Sequence, residues 1–283
     1  MHSKGTMPFR LVALDIDGTL LDSQGRLPPE NAEAVRKTSD LGIRIILVTG
    51  RRFSTARRIA ETLSLDNPLV VHNGALIRFP FLEERLASWF LSPEIALLIL
   101  KSAPDVLTYA VLHSDKSSTG QLVVHADSRH NLPLRSYLEK VPQSVKEVDS
   151  LESLLDKDLI QIMFSGELDA IQRIEASLVD LGLNGIVKLS KTYYPSKNIG
   201  ILDVLEKGCS KGRALEHLSI HYDCPAEQIL AIGDNHNDLE MLEFAGLGVV
   251  VANCVNELKN RGFRETSSND ELGVARALQE FVW

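Results

Sequence analysis

The run Leu11-Val12-Ala13-Leu14-Asp15-Ile16-Asp17-Gly18-Thr19-Leu20-Leu21 limits what this chain can fold into more than any other stretch. An apolar, β-branched segment ends in two carboxylates two residues apart, and a glycine follows at once. Strand side chains alternate faces, so Asp15 and Asp17 are expected to point the same way at the carboxyl end of a buried strand. Like charges held that close are costly unless a cation or a shared proton offsets them. Asp and Gly also close ordinary strands, and calcium loops share the spacing, so the motif is read with its context.

That context is an alternation of strands and helices. After the strand Leu11–Ile16, Pro28-Pro29-Glu30 starts a helix with proline in its first turn. Ala32, Val35 and Leu41 supply its apolar face, and Gly42 suits its end. Ile43–Val48 is a continuous apolar run of the kind buried on both faces of a parallel sheet. Phe53, Ala56, Ile59, Ala60 and Leu63 recur at helical spacing, and Pro68–Val71 reads as a third strand. The alternation resumes after Asn198, with strands at Ile199–Leu205, Gln228–Ile232 and Leu247–Val251. Helices are expected at Ser210–Ile220, Asp238–Phe244, Val255–Arg261 and Glu271–Phe281, the last with Leu272, Val274, Ala275 and Leu278 inward. Repeated strand–helix–strand units imply a parallel sheet with right-handed crossovers.

The middle of the chain differs. Helices are expected at Pro93–Lys101, Leu132–Lys140 and Leu168–Leu181, and strands at Val106–Leu112, Gln121–Ala126, Leu159–Phe164 and Gly185–Ser190. Strands that follow one another without a helix between them suggest antiparallel pairs. The expected fold is therefore α/β, a Rossmann-like parallel-sheet core of residues 7–81 and 195–283, with an α+β cap inserted at 82–194. At 283 residues the chain exceeds what one core usually fills.

Three further clusters fall at strand ends of the predicted core. Thr49-Gly50-Arg51 closes the second strand and opens a helix, where a hydroxyl and free N–H groups suit an anion, or where Thr49 simply caps. Lys211, in Gly208-Cys209-Ser210-Lys211-Gly212, begins a helix, the end whose dipole disfavours a cation unless an anion stands near. Gly233-Asp234-Asn235-His236-Asn237-Asp238 follows a buried strand, the place where open α/β sheets bind ligands. Asp15, Asp234 and Asp238, with the main-chain carbonyl of Asp17, form the oxygen-rich set that Mg2+ takes. Together the four clusters read as a phosphoryl-transfer site built around a divalent metal.

In this order the four elements closely resemble the haloacid dehalogenase superfamily of aspartate-nucleophile phosphotransferases, and the chain is most similar to its Cof-type, class IIB sugar-phosphatase branch. The matching motifs are Asp15-Ile16-Asp17-Gly18-Thr19, Thr49-Gly50-Arg51, Ser210-Lys211-Gly212, and Gly233-Asp234 with Asn237-Asp238. Val71-His72-Asn73-Gly74-Ala75 resembles the segment by which that branch enters its cap, while Asn235 and Cys254 stand where the family has glycine and alanine. The resemblance implies a magnesium-dependent phosphatase of small phosphomonoesters, sugar phosphates or similar metabolites, with an aspartyl-phosphate intermediate. Asp15 is then the nucleophile and Asp17 the acid and base. Thr49, Gly50, Lys211 and Asn237 bind the phosphoryl group, and Asp15, Asp17, Asp234 and Asp238 hold the metal. The cap selects the leaving group, with His125, Arg129, Lys191, Tyr194 and Lys197 as candidate contacts.

Composition narrows the partners. A formal net charge of −8 speaks against non-specific nucleic-acid binding. The apolar segment Trp89–Leu100 is broken by Ser92, Pro93 and Glu94 and too short for a bilayer. Three scattered cysteines (Cys209, Cys224, Cys254) and no signal-like apolar start point to a reducing cytoplasm. Met1–Thr6 is read as a disordered tail, with Met7 as an alternative start. The spacing of His217, His221 and Cys224 has no second cysteine pair to make a zinc site. His236 is flanked by better oxygen donors and is placed at the rim. Among Arg51, Arg52, Arg57 and Arg58 only Arg51 lies beside the anion site. Two other functions fit part of the pattern. A phosphomutase would depend on a catalytic bisphosphate, and a phospho-acceptor signalling module would be phosphorylated stoichiometrically without turnover.

Overall fold

Why the apolar runs become parallel strands is plain in the computed structural model of the chain, which describes residues 9–103, 105–115, 121–139, 144–155, 158–194 and 197–283. Every residue of Leu11–Leu14, Ile229–Gly233 and Leu69–Val71 is buried, so no polar face is left to break the runs. Five strands form an all-parallel sheet in the order Arg264–Thr266, Leu247–Val251, Ile229–Gly233, Leu11–Leu14, Arg44–Leu47. The chain leaves Leu11–Leu14 towards Arg44–Leu47 on one side and later returns to the other side through Ile229–Gly233. Leu11–Leu14 therefore sits where the strand order reverses, the position at which open sheets bind ligands beyond their carboxyl ends.

Pro68–Val71 is not a third member of that sheet. Leu69–Val71 touches it through one bridge, Val48 to Val70, and pairs antiparallel with Leu76–Arg78, which in turn neighbours Arg85–Ser88. The cause is a reversal at His72–Gly74, whose three residues all have positive φ. The last helix starts at Gly273 instead of Glu271. It buries Val274, Ala277 and Leu278, because Leu272 adopts a left-handed φ of 65° that ends the preceding 3-10 turn.

The chain divides into two units, one running to Ala87 and resuming at Ser210, the other Ser88–Cys209. These bounds differ from 82 and 195, and the strand at 199–206 accounts for most of the difference. Instead of joining the core, Ile199–Glu206 lies between Val187–Tyr194 and Leu159–Gly166, antiparallel to both. Its burial alternates over the first six residues, the pattern of a sheet with unlike faces and not of a doubly covered parallel strand.

The inserted unit is a six-stranded sheet ordered Val187–Tyr194, Ile199–Glu206, Leu159–Gly166, Ala110–Ser114, Gln121–His125, Val145–Val148. Its last pair is parallel and the others antiparallel. Helices Pro93–Leu100 and Leu168–Asp180 cover the face bearing Leu112, Ile162, Phe164 and Leu202. The helix Leu132–Leu138 covers Val111, Leu122, Val124 and Met163 on the other face. Val106–Thr108 is a 3-10 turn, and the strand expected there begins at Ala110. Met1–Thr6, Met7, Lys140 and position 195 lie outside the described residues. Among those described, no helix is long and apolar enough to cross a membrane.

Candidate active site

The strand Leu11–Leu14 hands the chain to Asp15, whose N–H still donates to the carbonyl of Ile232 at 3.0 Å. Asp15 is thus the last residue tied to the sheet, and it is buried. The backbone then leaves strand geometry in the turn Ile16–Leu20, with Gly18 at φ 80°. A side chain at Gly18 would be strained, and its Cβ would lie 2.4 Å from Oδ2 of Asp234. The glycine is therefore needed twice over, for the turn and for the approach of Asp234. One consequence corrects the sequence expectation: Asp15 and Asp17 do not share a strand face, because the strand has ended between them.

Asp15 faces a buried cluster. Lys211 Nζ donates to Asp15 Oδ1 and to Asp238 Oδ1, both at 2.6 Å, and the lysine side chain is 1% exposed. Asp238 Oδ2 accepts the N–H groups of Asp234 and Asn235 at 2.9 Å each, while Asp234 Oδ1 accepts the Thr19 hydroxyl at 3.1 Å. A buried lysine at the first position of the helix Lys211–His221 is tolerable because two carboxylates stand beside it. Ser210 caps that helix by accepting from Arg213 N–H at 3.0 Å.

Three carboxylates and one ammonium leave the cluster two negative charges in excess. The electrostatics follow from that imbalance. Burial and then Asp238 push the Asp15 carboxyl well above the usual range, against the pull of Lys211. Burial and Asp238 likewise raise Asp234, to about 7. For Lys211, burial acts to lower the pKa, but Asp15 and Asp238 together outweigh it and the net shift is upward. Ligand atoms of Asp15, Asp234 and Asp238 lie within 4.8 Å of one another, and buried Asp15 Oδ2 accepts no hydrogen bond from the described residues. The donor set, the excess charge and this orphaned oxygen all fit a hard divalent cation.

Asp17 is committed elsewhere. Arg51 Nη2 donates to Asp17 Oδ1 at 2.6 Å and Arg51 Nε to Oδ2 at 2.7 Å, a two-point fork. The pair is open to solvent, its side chains 29% and 57% exposed respectively. The hydrogen bond to Asp17 raises the Arg51 pKa further. Thr49 is buried at the end of the second core strand, and its hydroxyl accepts the Arg51 N–H at 3.0 Å. It does not cap the next helix, which begins at Phe53 with Arg52 at the cap position. Asn237 Nδ2 donates to Asn73 Oδ1 at 2.9 Å.

Three contributors escaped the sequence reading of the site. Thr19 orients Asp234; Asn73 receives Asn237; and Asn253 Nδ2 donates to the Gly18 carbonyl at 2.8 Å, steadying the turn after Asp15. Asn73 and Asn253 meet partners 164 and 235 residues away, a pairing no local pattern announces. His236 is exposed at the rim of its loop, 3.9 Å from Glu257.

In the inserted unit the five candidate contacts are dispersed. His125 Nδ1 accepts from Asp127 N–H, and Nε2 lies 3.2 Å from the Asp149 carbonyl. Arg129 leans on His130, and Lys191 is paired with Glu175 at 2.8 Å. Lys191 and Tyr194, three residues apart on one strand, leave opposite faces of the sheet. His125 is four strand spacings from that strand, about 19 Å. Lys197 is exposed beyond it.

A parallel sheet with an acidic, lysine-bridged cluster at its switch point is the framework of an α/β enzyme that handles an anion and a cation together. The chain belongs to the haloacid dehalogenase-like hydrolases, a family that matches residues 12–278. It is 27% identical over 278 residues to the 5-amino-6-(5-phospho-D-ribitylamino)uracil phosphatase YitU of Bacillus subtilis, covering 98% of each chain. Phosphatase YwpJ of the same organism is 28% identical, over 97% of this chain and all of the relative. A haloacid dehalogenase-like hydrolase from Bacteroides thetaiotaomicron has the same fold, with a TM-score of 0.81 at 22% identity over 96% of this chain and 99% of that one. TM0651 from Thermotoga maritima has a TM-score of 0.80 at 21% identity, over 96% and 97%.

Proposed function

We propose that this hydrolase is a magnesium-dependent phosphatase of small phosphomonoesters, acting through a phosphorylated Asp15. The observation that carries the reading is the cluster of three carboxylates in which Lys211 bonds two, Asp15 and Asp238, and Asp15 Oδ2 has no partner among the described residues. Mg2+ held by Asp15, Asp234 and Asp238 with the carbonyl of Asp17 would supply the charge neutralisation that lets two anions meet.

The residues divide the work as follows. The Asp15 carboxylate attacks phosphorus, and the bond from phosphorus to the leaving oxygen breaks. Asp17 gives that oxygen its proton, then takes one from the water that hydrolyses the aspartyl phosphate, releasing phosphate and restoring Asp15. Thr49, the Gly50 N–H and Asn237 hold the phosphoryl oxygens. Lys211 has three N–H donors, two of them used on Asp15 and Asp238, so the third is left for phosphate. Positioning and charge stabilisation dominate such transfers. The Arg51 fork on both oxygens of Asp17 orients that carboxyl and releases one oxygen when a leaving group arrives.

Groups in the core unit serve phosphate and metal, so choice among leaving groups falls to the inserted unit. Sugar phosphates and similar metabolites are the class to try first. Several relatives at 26–27% identity are named for 5-amino-6-(5-phospho-D-ribitylamino)uracil, which makes it the first compound to assay. Cys209, Cys224 and Cys254 are buried and not joined in disulfides, which supports a reducing cytoplasm. The test is phosphate release across a panel of phosphomonoesters, before and after exhaustive chelation. Turnover lost with chelation and restored by Mg2+ is expected, and full activity without a divalent ion would refute the reading. Turnover that requires an added bisphosphate would make the protein a mutase instead.

A further inference from the structure

The reversal at His72–Gly74 has a geometry that local sequence does not explain. Three consecutive residues have φ of 51°, 54° and 99°, in a region that side chains resist. Such a conformation persists only where the surroundings over-determine it. Here they do. The N–H of His72 donates to the Arg51 carbonyl at 3.0 Å and that of Asn73 to the Thr49 carbonyl at 3.1 Å. A Cβ on Gly74 would lie 2.1 Å from the carbonyl oxygen of Ser210, so the turn lies directly against the start of the Lys211 helix. A Cβ on Gly50 would lie 2.9 Å from Asn73 Oδ1, and that same oxygen accepts from Asn237. One turn thus touches the Thr49-Gly50-Arg51 loop, the Lys211 helix and the loop bearing Asn237.

We propose that Asn73 is a positioning residue for phosphate binding: its buried carboxamide fixes the Asn237 side chain and seats it against the Gly50 loop. The left-handed turn holds that carboxamide in place. Asparagine suits the position because it tolerates left-handed backbone better than other side chains and carries an acceptor. Without it the Asn237 amide would rotate freely, and a donor that must be ordered at each turnover stabilises charge less than one already in place. The inference rests on Asn237, Thr49 and Gly50 binding the phosphoryl group as proposed above.

A double-mutant cycle on the full-length chain tests it. Asn73→Gly removes the carboxamide while keeping the backbone unstrained, and Asn73→Ser is the substitute if the glycine variant does not fold. Each is measured alone and combined with Asn237→Ala. The readouts are inorganic phosphate affinity by calorimetry, and kcat and KM for 4-nitrophenyl phosphate. The expected result is a loss of about tenfold in phosphate affinity and in kcat/KM for the Asn73 variant, with the double variant within about twofold of Asn237→Ala alone. Losses that multiply in the double variant, or a lowered melting temperature with unchanged phosphate affinity, would overturn the proposal. A wild-type protein that neither binds phosphate nor hydrolyses phosphomonoesters overturns the functional reading and this inference together. One that does both, with Asn73 variants indistinguishable from it, overturns this inference alone.

Discussion

Replacing Lys211 by methionine asks whether the buried cluster is held together by its single cation. The substitution nearly keeps the length of the side chain and removes the charge, so Asp15 and Asp238 lose the ammonium that bonds both of them. Both hydrogen bonds at 2.6 Å disappear, and the partners they leave, Asp15 and Asp238, are themselves buried. Removing one partner of a buried pair costs about 3–5 kcal/mol, and a cation shared by two carboxylates belongs at the upper end. Truncating an exposed charged side chain of the same helix, such as Glu216, would cost less than about 0.5 kcal/mol. In the core unit the expected loss lowers the melting temperature by about 10 °C or more. Urea unfolding in chelator, followed through Trp283 in a Trp89→Phe background, isolates that unit, since Trp283 donates to Thr38 and stacks under Lys37. Adding Asp238→Asn should return part of the loss, because it removes one of the mutually repelling charges. A loss under about 1 kcal/mol, or a double variant whose losses simply add, would refute the reasoning.

With an aryl phosphate, Asp17→Asn should give a burst of about one equivalent of phenol and then slow release, while Asp15→Asn gives no burst; a burst from the latter would reassign the nucleophile. Arg51→Ala frees Asp17 from its fork, and should slow alkyl phosphates by about tenfold more than 4-nitrophenyl phosphate, since only the poor leaving group needs a well-placed acid. Equal loss on both would show that Arg51 acts elsewhere. In the inserted unit, burial raises the Asp203 carboxyl to about 7, and Gln161 donates to its Oδ1 at 2.9 Å. Its folded value exceeds the unfolded one, so its contribution to stability is fully present below about pH 4 and is lost as pH rises through about 7. Asp203→Asn should flatten that part of the unfolding profile while keeping the acceptor for Gln161, and an unchanged slope would contradict the assignment.

Sequence and structure agree most closely where burial is total. Leu11–Leu14, Arg44–Leu47 and Ile229–Gly233 are continuous apolar runs closed by Asp, Thr or Asp-rich loops, and a run buried on both faces carries its own signature. Strands with polar or short sequences carry no such signature in either unit. Val145–Val148 pairs parallel to Gln121–His125 with two exposed residues, and Arg264–Thr266 forms a sheet edge from Arg-Glu-Thr. Ile199–Glu206 reads as a strand of the core sheet but pairs within the inserted one, because apolar content does not say which neighbour supplies the hydrogen bonds.

The same division runs through the site. The grouping of Asp15, Lys211, Asp234 and Asp238 was legible because paired carboxylates closing a buried strand and a lysine at a helix start both run against local electrostatic preference, and a shared anion–cation site relieves both at once. The separation of Asp17 from Asp15, its capture by Arg51, and the Asn73–Asn237 contact were decided by the tertiary structure. Each depends on where a turn sends a side chain after the strand ends: the turn Ile16–Leu20 sets Asp17 against Arg51, and the left-handed His72–Gly74 turn brings Asn73 against Gly50. Periodicity encodes which face of an element is buried, because burial repeats along the chain; it carries no information about partners that meet once, across 34 or 164 residues, through the geometry of a single turn.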